Sequence, residues 1–389
     1  MIDRNRTKPV SLYLHFPFCE RKCRYCDFLS GPASDEAREN YMQLLCREIA
    51  LRREEVKGPV DTIFIGGGTP SLMTPSQLSH LMETIYGTFQ VCADDSDTEI
   101  NTEISMEINP GTADREKLCA YRRTGVNRLS IGVQSFSDAE LQLLGRIHSA
   151  HQARKIFGEA REAGFGNINL DLMSALPGQK ISDWEKTLLQ TVNLGPEHIS
   201  AYSLIIEEGT PFSHMQLPQL PTEEEDRAMY HLTKDLLGEY GYRRYEISNY
   251  ARAGYACRHN CGYWTGHEYL GLGLGASSYI SGERFRNPAD MASYAKAVEE
   301  GDPASLRCER EILTPNEQME EFMFLGLRMT EGVSVPAFEE RFGEKPDRRF
   351  SEVIAKHEAQ GVILRSKDRI ALTDYGLDVA NYVMADYLL

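Results

Sequence analysis

The chain has 389 residues, 41% hydrophobic and 26% charged, with 58 acidic against 42 basic side chains and a formal net charge of −16. A polypeptide of this length and composition can bury most of its apolar surface as one large domain and a smaller one, which excludes disordered and fibrous classes. The acidic balance excludes generic affinity for nucleic acid or an anionic membrane, both of which need a basic field.

No stretch of 18 or more apolar residues occurs, so no transmembrane segment is expected. The opening MIDRNRTKPVSLYLHF carries no apolar run of signal-peptide length. The expectation is a cytoplasmic protein whose nine cysteines are reduced, with clustered ones acting as metal ligands rather than disulfides.

In chain order, short apolar runs predict strands at 10–16, 61–66, 104–108, 128–133, 168–173 and 198–205. Helical spacing fills the gaps. Tyr41, Leu45 and Ile49 share one face, as do Leu78, Leu81, Met82 and Ile85. Ser182 and Glu185 have the spacing of a capping box. The acids from Glu223 to Asp226 suit the first turn of a helix after Thr222. Six strands alternating with helices imply a parallel α/β sheet with right-handed crossovers, buried on both faces. A curved or closed β/α barrel is the first expectation and a doubly wound open sheet the second.

The periodic pattern fades beyond residue 241, and 254–288 reads as Gly- and aromatic-rich loop. Within it, Gly271, Gly273 and Gly275 suit loop geometry better than a nucleotide fingerprint, since no helix pattern opens after them. From 303 onward come helices at 315–329, 334–342 and 346–359, two short strands at 362–365 and 369–372, and a last helix near Tyr375. This is a small α+β, winged-helix-like unit, read as a structural cap. It holds 11 Lys/Arg against 16 Asp/Glu, so no nucleic-acid partner is expected. The division is therefore a barrel over 1–240, a connecting region over 241–302 and a C-terminal domain over 303–389.

Directly after the first strand the chain reads HFPFCERKCRYCDF, with Cys19, Cys23 and Cys26 spaced C-x3-C-x2-C. Three thiolates on one loop can meet one face of an iron–sulfur cube, whose full set would be four. A missing fourth leaves one iron open, as a catalytic zinc keeps an open position. A structural zinc site is the alternative, but zinc spacings come in C-x2-C pairs, and no second pair follows.

The second strand ends in Gly66-Gly67-Gly68-Thr69-Pro70, where missing Cβ atoms let a ligand come close to backbone. Glu107, Gln134 and Asp171 lie near the ends of the next three strands. Polar groups at successive strand ends share one crevice in a barrel.

These motifs resemble the radical S-adenosylmethionine (SAM) superfamily. The resemblance implies a [4Fe–4S] cluster whose open iron is chelated by SAM, and reductive cleavage of SAM to a 5′-deoxyadenosyl radical. It carries SAM contacts to Tyr13, Phe28, Gly67, Gly68, Thr69, Glu107, Gln134, Arg146, Asp171 and Ile205. If SAM is cleaved, it also implies an electron donor such as flavodoxin or ferredoxin. Over nearly its whole length the chain is similar to the coproporphyrinogen III dehydrogenase and HemW heme-chaperone family. The matching stretches are Tyr13–Phe28, the Gly-Gly-Gly-Thr-Pro segment and Asn127–Phe136. In the dehydrogenase branch a further cysteine stands two positions after the third ligand, where this chain has Phe28, and a longer N-terminal arm precedes the motif.

The chaperone branch has an H-N-x-x-Y-W stretch, matched by His259-Asn260-Cys261-Gly262-Tyr263-Trp264. The resemblance implies heme as cargo and a heme-acceptor protein as partner. His259 is a candidate axial ligand, with Tyr263 and Trp264 as stacking faces; a purely structural segment over the barrel mouth is the competing reading. A zinc site from Cys257, Cys261, His259 and His267 matches no common spacing. Cys46, Cys92, Cys119 and Cys308 are isolated and read as structural.

Overall fold

The computed structural model describes residues 8–91 and 102–389. Cys92 lies outside the described residues, as do the first seven.

The expected strands form as β1 (Val10–Phe16), β2 (Val60–Gly67), β3 (Glu103–Ile108), β4 (Arg128–Gln134), β5 (Ile168–Ser174) and β6 (His198–Ser203). All five neighbouring pairs are parallel, and their order in the sheet follows the chain. A doubly wound sheet reverses its winding at a switch point; this one never does. It therefore curves as a partial (β/α)6 barrel with α1 (Asp35–Leu51), α2 (Pro75–Thr88), α3 (Arg115–Arg123), α4 (Asp138–Leu144), α5 (Ala150–Glu162), α6 (Ile181–Leu194) and α7 (Glu223–Glu239) in the crossovers and after β6.

Local chemistry explains the helix starts. Thr74 and Gln77 exchange side chain–backbone hydrogen bonds in a capping box at α2, and Thr222 and Glu225 do so at α7. The box expected at Ser182 is displaced. Helix α6 begins two residues earlier, and Asp183 accepts from the Lys180 N–H at 3.4 Å.

The reading of 254–288 as loop is corrected. It contains α8 (Arg258–Trp264), β9 (Tyr269–Leu272), β10 (Ser277–Ile280) and β11 (Glu283–Arg286), following β7 (Arg243–Arg244) and β8 (Asn249–Ala251). β9 pairs parallel with β1, and β10 and β11 extend that edge. No four-residue strand in a Gly-rich stretch shows a clear alternation, so periodicity could not reveal it. What fixes it is a buried network. Arg52 donates to Gly271 O at 3.0 Å and Asn287 Oδ1 at 3.1 Å. Glu48 accepts from Gly273 N at 2.7 Å and the Tyr294 hydroxyl at 2.7 Å. Gly273 has φ +99°, and a Cβ there would lie 2.7 Å from His15 O.

Helix α9 (Met291–Glu300) leads into β12 (Cys308–Ile312), which pairs with β11 at the edge of the same large sheet. Residues 308–312 thus belong structurally with the barrel sheet rather than with the helices that follow. Those are α10 (Pro315–Gly326), α11 (Val335–Phe342) and α12 (Asp347–Ala359), with α13 (Asp374–Asp378) and α14 (Ala380–Ala385) at the end. A three-stranded sheet of β13 (Val333–Ser334), β15 (Arg369–Leu372) and β14 (Ile363–Arg365) completes this unit. It has a hydrophobic core of its own, around Met323, Phe338, Phe350 and Ile370. No helix among the described residues is long and apolar enough to cross a membrane.

Candidate active site

The loop after β1 is pinned on two sides. Cys19 N donates to Gly31 O at 2.9 Å, folding the loop back on itself. Arg24 N donates to Leu144 O at 3.0 Å and the Arg21 guanidinium to Gly145 O at 2.9 Å, tying it to the end of α4. Cys19, Cys23 and Cys26 are all half-buried free thiols facing one cavity of about 580 Å³. Among the described residues no three His, Cys, Asp or Glu side chains are placed to share a single metal ion. A larger cluster fits the loop better than zinc does, because its ligands bind separate irons.

The same cavity is lined by all ten residues expected around SAM. The Gly-rich turn works differently from the expectation that its amides face a ligand. Gly68 N donates to Phe16 O and Thr69 N to Phe18 O, both at 2.8 Å, and Gly67 N to Glu107 Oε2 at 3.1 Å. Thr69 is buried. These donors are spent within the protein, so the turn suits a ligand cation better than an anion. A Cβ on Gly68 would lie 2.6 Å from Phe18 O, which is why that position needs glycine.

Glu107 is half-buried in the cavity wall, and burial first, then the neighbouring Asp171, pushes its carboxyl up to about 8. Burial also raises Asp171, against hydrogen bonds from Asn169 Nδ2 at 2.7 Å and Ser130 Oγ at 3.1 Å. Two half-buried carboxyls at the ends of β3 and β5 thus line one cavity, an arrangement that favours a bound cation. Arg146 lines the same cavity. Its guanidinium donates to Gly132 O at 2.6 Å and reaches Cys23 Sγ at 3.6 Å, while Nε is buried without a partner among the described residues. Gln134 ends β4 with φ +65° at a register shift, which re-aims the side chain at the cavity. Phe28 is 62% exposed and Ile205 69%, which places both apolar side chains at the rim.

Tyr13 donates to His15 Nδ1 at 2.9 Å, and His15 Nε2–H donates to Leu29 O at 2.9 Å. The carbonyl cannot donate, so this chain sets the tautomer. Burial lowers the His15 pKa, keeping the ring neutral. Sequence reasoning misses His15 and also Asn109, which accepts from Arg146. Asn109 is detectable in principle, since it follows Glu107 by two residues at the same strand end.

In this structure His259 is hydrogen-bonded through both ring nitrogens. Helix α8 starts at the N-terminal end of β3, and its residues His259, Asn260 and Tyr263 line the same cavity as the three thiols. Glu103, the first residue of β3, accepts from the backbone N–H groups of Arg258 and His259, both at 3.2 Å, capping the helix. His259 is 1% exposed. Its Nδ1–H donates to Thr62 Oγ1 at 2.8 Å, and its Nε2 accepts from the Tyr263 hydroxyl at 2.9 Å. Burial lowers its pKa to about 3. Cys257 bonds Glu103 at the same end of β3, so the zinc alternative there lapses. Tyr263 and Trp264 do face a void, a second cleft of about 550 Å³ between the barrel edge and α10–α11. The two cavities share Tyr13, Phe28, Gly67, Glu107 and Tyr263 in their walls.

Comparison with known proteins agrees with this geometry. Residues 13–190 match the radical SAM superfamily and residues 313–379 the HemN C-terminal domain. The chain is 36% identical to the heme chaperone HemW of Lactococcus lactis, over 98% of both chains. It is 38% identical to the HemW of Bacillus subtilis, over 97% of this chain and 99% of that one. Among solved structures, the radical SAM coproporphyrinogen III oxidase HemN of Escherichia coli superposes with a TM-score of 0.85. That match covers 98% of this chain and 90% of the other at 23% identity, a likeness of fold.

Proposed function

The chain belongs to the HemW family of radical SAM proteins, and on that premise we propose that it is a heme chaperone that also binds a [4Fe–4S] cluster and SAM. The observation that carries the reading is the convergence of three free thiols, two half-buried carboxyls and a partly unpaired guanidinium on one cavity.

Cys19, Cys23 and Cys26 would hold the cluster. Glu107 and the carbonyls of the Gly-rich turn suit the ammonium of SAM, and Arg146 suits its carboxylate. Asp171 accepts from hydroxyl donors already and suits a ribose. Phe28 and Ile205 offer apolar contact to a flat base. When bound, the pair supplies one-electron radical chemistry. The chain's own part is to bind, orient and exclude water. At neutral pH Glu107 holds a proton, which an arriving ammonium would displace by favouring the carboxylate.

Heme passes from this chain to an acceptor protein in this reading. Phe28 supports the chaperone branch over the dehydrogenase, because it puts an apolar ring at the rim where that branch has a thiol. Anaerobic assay with coproporphyrinogen III, run beside a heme titration, tests the choice. Heme binding without formation of protoporphyrinogen IX is expected; robust conversion would transfer the chain to the dehydrogenase activity.

A further inference from the structure

Three neighbouring strands carry the same pattern near their starts. β4 reads Arg128-Leu129-Ser130, β5 Asn169-Leu170-Asp171 and β6 His198-Ile199-Ser200. The middle residue of each triplet is fully buried in the apolar core. By the alternation of a strand, the outer two point to the opposite face, toward the barrel axis. Such an axis is ordinarily filled by branched apolar side chains. Here it is polar, and all but His198 of these outer residues line the cavity of the three thiols. Ser130 is in register with Asn169, and Asn169 with His198.

The hydrogen bonds of this network run in one direction. The Cys257 N–H, at the start of α8, donates to the Tyr245 hydroxyl at 3.3 Å. A backbone N–H only donates. The hydroxyl's own proton then has His198 Nε2, at 2.8 Å, as its acceptor. That leaves the ring proton on Nδ1, which donates to Asn169 Oδ1 at 2.6 Å. Ser200 Oγ donates to the same oxygen at 3.2 Å. With its oxygen engaged there, the amide turns Nδ2 to Asp171 Oδ1 and Ser130 Oγ, both at 2.7 Å. Ser130 passes its proton to Asp171 Oδ2 at 3.1 Å.

Each donor is thus fixed by the one before it, and the series ends on a carboxyl in the cavity wall. The opposite orientation of Asn169 would set an amide oxygen against a carboxylate oxygen and leave the Tyr245 proton without an acceptor. His198 is 1% exposed, and burial first, then the Arg128 charge, holds its pKa well below the usual value. The ring therefore carries the single proton that the series requires. Both oxygens of Asp171 are held by the protein, and each keeps capacity to accept one more bond. A carboxylate held in this way is complementary to two neighbouring hydroxyls.

We propose that His198 is a positioning residue for the nucleoside end of SAM: through Asn169 it holds Asp171 as an acceptor-only carboxylate turned to the ribose hydroxyls. This rests on the SAM reading of the cavity and adds the residues behind its wall.

The test is anaerobic calorimetric titration of the full chain, carrying its reconstituted cluster, with SAM and with the 2′,3′-dideoxy analogue of SAM. Wild type should bind SAM more tightly than the analogue. His198→Leu should weaken SAM by about tenfold and leave the analogue, which has no hydroxyl for Asp171, bound as in wild type. His198→Asn, whose amide keeps a donor for Asn169, should recover most of that loss. Tyr245→Phe, which releases the tautomer, should weaken SAM several-fold, again without changing the analogue. Cluster absorption should be the same throughout. Absence of SAM binding by wild type carrying its cluster would overturn the SAM reading itself. Equal wild-type affinity for the two ligands, an unchanged SAM affinity in His198→Leu, or a loss there that is equal for both ligands would overturn the positioning role and leave that reading standing. Should His198→Leu fail to fold, Tyr245→Phe decides by the same comparison of the two ligands.

Discussion

The cluster loop and the α8 helix look alike as sequence, each a short segment dense in cysteine, basic and aromatic residues. The structure treats them oppositely. In the loop, backbone groups are tied down while the three thiols stay free and face a cavity. In α8, the reactive groups themselves are consumed: His259 by Thr62 and Tyr263, and the Cys257 thiol by Glu103. A functional side chain is one whose bonding capacity the fold leaves unspent, whereas a satisfied one specifies structure.

The comparison breaks most sharply at the thiols. Replacing Cys19, Cys23 and Cys26 together with Ala should reduce reconstituted iron from about four per chain to none, with far-ultraviolet circular dichroism unchanged. Retention of the cluster would mean that other ligands exist. At the other region, His259→Ala should leave the purified fold short of two buried hydrogen bonds and a ring. It should cost about 3–5 kcal/mol by denaturant unfolding. A loss below about 1 kcal/mol would show that region to be less committed than its hydrogen bonds indicate.

Gly68 sharpens the link between the two sides of the cavity. Gly68→Ala pushes a methyl against the Phe18 carbonyl, which should cost about 1–3 kcal/mol and lower cluster occupancy on reconstitution. Normal occupancy and stability would show that the turn can shift away from β1.

The smallest effect concerns Glu107, and it depends on pH. Its carboxyl titrates near 4.5 in the unfolded chain and about 8 in the fold. Between these values the folded state keeps a proton that the unfolded chain has lost, so stability falls as pH rises through that window and levels above it. Glu107→Gln keeps an acceptor for Gly67 N–H and removes the penalty. The melting-temperature gain of the variant over wild type, both free of ligand, should grow from pH 4.5 to 8 and then stay constant. A gain independent of pH would mean the carboxyl is not held protonated.

Much of the site is legible in the chain's own pattern. The three thiols that converge on the cavity are residues of a single loop, and the strand ends bearing Glu107, Gln134 and Asp171 follow from continuous apolar runs. Less legible is what the Gly-rich turn offers, because the partners of its amides include Phe16 and Phe18 on another strand and the loop beyond it. The roles of residues 258–286 are hidden for the same reason. Helix α8 is capped by Glu103, more than 150 residues away, and β9 exists as a strand because β1 lies beside it.

The sequence by itself determined the alternation of strands and helices, the three-thiol loop and the polar residues at the strand ends. Those depend on apolar periodicity and on spacing within single segments. Only the tertiary structure decided which imidazole is hydrogen-bonded through both nitrogens. His259 and His267 stand eight residues apart and are equally available as chemistry. Folding places Thr62, distant by 197 positions, against one nitrogen of His259 and Tyr263 against the other, while His267 Nε2 lies 3.4 Å from Asp61 Oδ1 with neither atom hydrogen-bonded among the described residues. Free bonding capacity is a property of non-local partners, and no local pattern encodes it.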